Sequence, residues 1–171
     1  MAKGMRPGHA MAMRYLRFYK EKSMYYQMQE GYLTLGEGDW QDNSVTMLAA
    51  NHVPAKGANL VVTRESLPVG LSLADYLLNQ KSTLARELPG FRILFEGPET
   101  IDGLPAHFLE FTWDNQGHAM HQMILMIVNN SRALNLTATV PGKIDDASHA
   151  QLLAAMKSFT VGRAPLEQGE V

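Results

Sequence analysis

The chain has 171 residues, of which 46% are apolar, 19% are charged and none is cysteine, and its formal net charge is −2. That length and apolar content suffice for one domain with its own core. The lack of cysteine excludes disulfides, thiolate metal centres and cysteine nucleophiles and agrees with a reducing compartment, while no apolar run approaches the ~18 residues of a membrane span.

The charge is uneven. Residues 1–23 carry six Lys and Arg against one Glu, and the remainder carries nine against sixteen Asp and Glu, a balance of −7. The basic start, with Arg6, Arg14, Arg17, Lys20 and Lys22, has no apolar centre of the kind a secretory signal needs, and Met24 stands directly before the first strand-like stretch. Residues 1–23 are therefore expected to be a basic N-terminal extension, either disordered or the product of a start site set too far upstream, rather than a nucleic-acid or membrane arm. A single domain is expected over residues 24–162, followed by a flexible tail at 163–171.

In chain order, Tyr25 to Leu35 reads as a first strand with a bulge at Gly31. Gly36 to Asp39 turns the chain, and with no helix behind it this Gly-x-Gly is no phosphate loop. Ser44 to Ala50 is a second strand, placing Val45, Met47 and Ala49 on one side. Asn59 to Leu67 is a third, with Val61, Thr63 and Glu65 opposite Leu60, Val62 and Arg64. Ser72 with Asp75 three residues on forms a capping box for a helix whose stripe is Leu73, Tyr76, Leu77, Leu84 and Leu88, and Pro89-Gly90 ends it. Phe91 to Ile101 and Leu104 to Trp113 flank Asp102-Gly103, a strong hairpin signal. His118 to Val128 follows the turn-forming Asp114 to Gly117 and leads through Asn129 to Ser131 into a strand over Ala133 to Val140. Asp145 or Asp146 caps a second helix with a stripe of Ala150, Leu153, Ala154 and Met156.

Seven strands joined mostly by hairpins, with two packed helices, define an α+β fold around an antiparallel sheet. Seven strands at ~4.8 Å spacing make a sheet ~30 Å wide, and two helices side by side cover ~20 Å of it. One face is therefore expected to be largely bare unless the sheet closes into a barrel. His118 to Val128 is apolar in both parities, which fits a strand buried on both faces or a strand with one face kept for a partner. Met28, Met47, Met120, Met123 and Met126 all fall in predicted strands. Each is ordinary core filler on its own, and together they suit a surface that accepts varied apolar partners.

Catalytic chemistry finds no support. His118 and His121 lie three apart on a strand and point to opposite faces, so they do not form a joint metal site, and His52, His107 and His149 are scattered singly. Glu96, Glu99, Asp102 and Glu110 cluster around one hairpin and read as a solvated rim without acid/base partners. No nucleophile elbow, triad spacing or basic aromatic surface for nucleic acid is present. The expectation is a binding protein without enzyme activity, cofactor or metal, either a protein chaperone or a carrier of small ligands or lipids on the same apolar sheet.

Several stretches carry a family resemblance: Trp40 to Met47 (Trp-Gln-Asp-Asn-Ser-Val-Thr-Met), Asn59 to Arg64 (Asn-Leu-Val-Val-Thr-Arg), Ala74-Asp75-Tyr76 with Gln80, Glu87 to Phe91 (Glu-Leu-Pro-Gly-Phe), the Gly103 to Trp113 hairpin and Gln122. Over residues 25–160 the sequence resembles the effector-associated (Eag) chaperones of bacterial type VI secretion systems. The resemblance implies a PsbP-like fold and a cytoplasmic, homodimeric adaptor. Such adaptors bind the N-terminal transmembrane helices of toxic effectors, often Rhs proteins with a PAAR spike domain, and promote loading onto the secretion spike. It implies client contacts at Val45, Met47 and Leu88, with polar help from Asn59, Thr63, Gln80 and Gln122. This chain has Asn59 and Met47 where the family carries Ser and Ile.

Overall fold

A sheet whose strands are apolar in both parities needs cover on both sides, and in this protein one helix packs on each side. The computed structural model describes residues 24–27, 30–35, 40–52, 54–129 and 131–162. The expected basic extension at 1–23, the tail at 163–171, Met28 and the Gly36 to Asp39 turn lie outside the described residues. The chain divides into two compact units, Met1–Gln41 and Asp42–Val171.

The first unit contains β1 (Met24–Gln27) and β2 (Tyr32–Leu35), paired antiparallel from Met24↔Leu35 to Gln27↔Tyr32. The single first strand expected over Tyr25 to Leu35 is thus a hairpin, and Gly31 lies in its turn rather than at a bulge. Gln27 Nε2 donates to Gly31 O at 3.0 Å across that turn.

The second unit contains β3 (Thr46–Ala49), β4 (Asn59–Ser66), α1 (Leu73–Glu87), β5 (Arg92–Ile101), β6 (Leu104–Asn115), β7 (His118–Asn129), β8 (Arg132–Pro141) and α2 (Asp146–Lys157). Its six strands form one antiparallel sheet in the order β3-β4-β8-β7-β6-β5. The sheet is open, with β3 and β5 as its edges, so it does not close into a barrel. Local chemistry sets the hairpins. Asp102 and Gly103 both take positive φ, 49° and 75°, as do Gln116 and Gly117, 56° and 87°. These are the conformations that a two-residue turn needs to match the twist of its strands.

Ser72 caps α1 by accepting from the Asp75 amide at 3.1 Å, and Leu88 ends it with its own amide on Leu84 O. Asp145, not Asp146, caps α2, accepting from the Ser148 amide at 2.8 Å. The buried side of α2 is Ser148, Leu152 and Met156, with Leu153 flanking, whereas Ala150 and Ala154 are exposed. The expected alanine stripe is therefore rotated, because the larger Leu152 and Met156, four residues apart, dictate which side docks.

The two helices lie against opposite faces. Leu152 and Met156 of α2 join Phe108, Met123, Leu125, Ile127, Leu136 and Ala138 in one core, and Tyr76 of α1 joins Leu109, Phe111, Met126 and Ala133 in another. The expectation of one bare face under two side-by-side helices is corrected accordingly: each face has one helix and neither is wholly bare. β7 shows the consequence. His121, Met123, Leu125 and Ile127 are buried on the α2 side, while Met120, Gln122, Ile124 and Val128 on the α1 side are only half-buried around a buried Met126. Met123 and Met126 are core residues and Met47 is exposed, so the strand methionines have no common role.

The carboxylates expected as a solvated rim instead tie elements together. Glu96 pairs with Lys81 of α1 at 2.9 Å and Glu99 with Lys157 of α2 at 2.6 Å. Asp102 accepts from the Val161 amide at 2.8 Å, and Glu110 lies between His121 at 2.6 Å and His149 at 3.2 Å. The hydrogen bond from Lys81 holds the Glu96 carboxyl below its ordinary range, and the Ser148 amide does the same for Asp145. Unfolding raises both pKa values, so the stability they contribute is present above the usual carboxylate pKa and is lost as pH falls through the depressed folded values. The melting temperature is expected to decline as pH drops below ~4, and less steeply in an Asp145→Asn, Glu96→Gln double variant. An unchanged acid limb in that variant would show that neither carboxylate contributes.

Candidate functional site

Cross-strand register sorts the sheet into rows of side chains. On the α2 side, Thr46, Val62, Leu136, Leu125 and Phe108 face one another across five strands, and the neighbouring row is Leu48, Leu60, Ala138 and Met123. These rows are apolar beyond Thr46, and most of their residues belong to the α2 core.

The α1 side is different. One row runs Met47, Val61, Thr137, Ile124 and Leu109, and the next runs Ala49, Asn59, Thr139, Gln122 and Phe111. A third contains Thr63, Asn135 and Met126, and a fourth Glu65, Ala133 and Val128. α1 covers the last two rows at β4 and β8. The Tyr76 hydroxyl donates to Glu65 Oε2 at 2.9 Å and accepts from Asn135 Nδ2 at 2.7 Å. Burial pushes the Tyr76 hydroxyl pKa up, so it stays a donor through the neutral range. Farther along, α1 reaches β5 through Lys81 and Glu96, and the segment after it packs Phe91 on Phe111 with ring centroids 5.0 Å apart.

A helix on this diagonal leaves the first two rows open between β3 and β7. Met47 is 66% exposed and Val45 60%, while Val61, Asn59, Thr137, Thr139, Gln122 and Ile124 are half-buried. The open strip therefore combines a row that is apolar except at Thr137 with an adjacent row of amides and a hydroxyl. Gln122 Nε2 donates to Thr139 Oγ1 at 2.8 Å, which fixes that amide along the row. Asn59 Oδ1 is buried and has no hydrogen-bond partner among the described residues.

The residues singled out in the sequence fall on this side of the sheet. Met47, Asn59, Thr63 and Gln122 share its face by register, and Val45, two residues before Met47, has the same parity. The exposure of Val45 and Met47 excludes a core-packing role for either. Gln80 and Leu88 belong to α1 and its C-cap and are half-buried. Leu88 packs with the core that includes Leu109 and Phe111, so the strands β4, β8 and β7 separate it from β3. The structure thus gathers five of the residues around one strip and places Leu88 at the far side of α1. Sequence reasoning did not single out Val61, Thr137, Thr139 and Ile124, although the alternation of β4 and β8 places them on the same face. Among the described residues no group of three or more His, Asp or Glu side chains is disposed to hold a metal ion, and no helix is long and apolar enough to cross a membrane.

The architecture, an antiparallel sheet with helices and a half-open face, is an α+β fold of the PsbP-like class. It is similar to the solution structure of cyanobacterial PsbP (CyanoP) from Synechocystis sp. PCC 6803, with a TM-score of 0.51 at 12% identity over 93% of this chain and 98% of that one. It is also similar to the crystal structure of a Pseudomonas aeruginosa protein of unknown function, PA94, with a TM-score of 0.68 at 24% identity over 84% of this chain and 99% of that one. The DcrB family model matches residues 30–158, and the chain belongs to the DcrB family. A Pseudomonas aeruginosa (PAO1) protein named Effector EagT6 is 28% identical over 116 residues, which cover 67% of this chain and 79% of that protein. This match agrees with the Eag resemblance read from the sequence.

Proposed function

We propose that this protein is a chaperone and adaptor of a type VI secretion system, not an enzyme. In this reading it shelters the apolar N-terminal transmembrane helices of a toxic effector in the cytoplasm and promotes loading of that effector onto the secretion spike. The observation that carries the proposal is the open strip of the α1-side face, where Met47, Val61 and Ile124 lie beside Asn59, Thr139 and Gln122. The similarity to a protein named Effector EagT6 supports the link to effectors.

Dimensions and chemistry both suit one helix. The strip from β3 to β7 spans three interstrand steps, ~14 Å, against a helix diameter of ~10–12 Å. A transmembrane helix of ~20 apolar residues aggregates in water, and its small and polar positions, which pair with other helices in a membrane, need hydrogen-bonding partners elsewhere. The apolar row covers the former surface and the amide row answers the latter. Val45 and Met47 act as apolar contacts, and Asn59, Thr63, Gln80 and Gln122 as polar ones, whereas Leu88, at the far side of α1, would meet the client outside the strip. A twofold homodimer would present two strips and hold paired helices. Neither nucleic-acid binding nor stable membrane insertion is part of this function.

The test is co-expression with an N-terminal effector fragment that contains the effector's hydrophobic segments. The fragment is expected to be insoluble alone and to co-purify as a soluble complex with the chaperone. If it remains insoluble and unbound in the presence of the chaperone, the proposal fails.

A further inference from the structure

A cavity of about 390 Å³ lies on the opposite face, at the end of the sheet where β7 gives way to β8. Its walls include Leu104, Ile127, Leu134 and Phe159, and Arg64 and Arg132 also line it. Register accounts for the placement: Arg64, Leu134 and Ile127 are cross-strand neighbours in one row on the α2 side. α2 ends at Lys157, and the chain beyond it runs through Phe159 to Val161, whose amide is held by Asp102 Oδ2. The apolar row thus continues past the helix that covers the rest of this face.

The two arginines set the chemistry. Arg64 is half-buried, and its Nη1 donates to Ser44 O at 3.2 Å and Ser44 Oγ at 3.3 Å. Arg132 is exposed, and among the described residues neither guanidinium has a carboxylate partner. A guanidinium carries several N–H donors in a planar fork that matches a carboxylate, so most of this donor capacity is unspent. The volume falls in the ~300–1,000 Å³ range of small-molecule sites, in which apolar walls supply most of the contact and a few polar groups fix orientation.

We propose that this cavity binds a small anionic amphiphile, an acyl chain ending in a carboxylate. The chain lies against Leu104, Ile127, Leu134 and Phe159, and the carboxylate is held by Arg64 and Arg132. The site is separate from the strip on the α1 side and does not depend on the function assigned to that strip.

Isothermal titration of the full chain with octanoate, octan-1-ol and acetate tests the assignment, since these probes carry both features, the tail alone and the head alone. Octanoate is expected to bind saturably at one molecule per chain, with octanol and acetate at least ~10-fold weaker, the loss expected when a hydrogen-bonded charge or the buried tail is removed. Arg132→Glu, at an exposed position, is expected to stay folded and to weaken octanoate by ~10-fold or more while leaving octanol unchanged. Arg64→Gln provides the second variant, with the same selective loss. Equal affinity for octanoate and octanol, unsaturable uptake, no octanoate binding, or full octanoate affinity in folded Arg132→Glu would each overturn the proposal.

Discussion

With Val45 and Met47 both replaced by aspartate, the protein is expected to remain folded and to lose ~100-fold or more in affinity for an apolar client helix. The two halves of that expectation have separate grounds. At 60% and 66% exposure, neither side chain is part of a core, so the substitutions remove little packing. Surface changes of this kind usually shift stability by no more than ~0.5 kcal/mol. In the complex, however, each side chain would lie beneath a helix, where its burial is worth ~1.5–3 kcal/mol. A carboxylate placed there would also be desolvated without a partner, which adds to the loss. Circular dichroism and thermal melting check the fold, and retention of the effector fragment checks the binding. Wild-type retention in a folded double variant would remove this face from the site. Met123→Asp is the contrasting control: Met123 is 1% exposed in the α2 core, and its replacement by a charge is expected to unfold the protein.

Much of the fold was legible because local signals agreed with the tertiary structure. Asp102-Gly103 and Gln116-Gly117 turn where such residues turn, and Ser72 and Asp145 cap where short polar side chains cap. The first hairpin was not legible, because its two strands have four residues each and an eleven-residue run interrupted by one glycine reads equally well as a bulged strand. Helical periodicity gives the stripe a helix buries but not the side of the sheet it docks on, and for that reason the helices were expected together on one face. The contact of Glu110 with His121 is encoded locally, although its contact with His149 of α2 is not. The turn at Gln116 and Gly117 pairs Asn115 with His118, and counting back from that pair sets Glu110 opposite Met123 and diagonal to His121. The candidate strip was legible to the extent that alternation places Val45 and Met47 together. The exposure of its floor depends on the diagonal path of α1, which no local pattern encodes.

Tyr76→Ala is expected to cost ~3–5 kcal/mol, the most of any single change in α1, and Tyr76→Phe ~1–3 kcal/mol. Tyr76 is 2% exposed and fills the core between α1 and the sheet, so truncation to Ala leaves a cavity under the helix. Phenylalanine preserves that volume but removes the hydroxyl shared by Glu65 and Asn135. Glu65 is exposed and can turn to water, whereas Asn135 is half-buried and its Oδ1 already has no partner among the described residues. The penalty of the Phe variant therefore concentrates at Asn135. Burial raises the Tyr76 pKa above its unfolded value, so wild-type stability should fall as pH rises above ~10, and this component of the loss should be absent in the Phe variant. Urea titrations at neutral and alkaline pH measure both effects. Client binding should respond differently from its response at β3. Tyr76 pins the α1 boundary of the open strip at the Glu65 end, so affinity and stability should fall together in the Tyr76 variants, while the Val45 and Met47 pair should lose affinity alone. Tyr76→Ala with full stability would mean that α1 is held by its other contacts and that the edge of the strip does not depend on this hydroxyl.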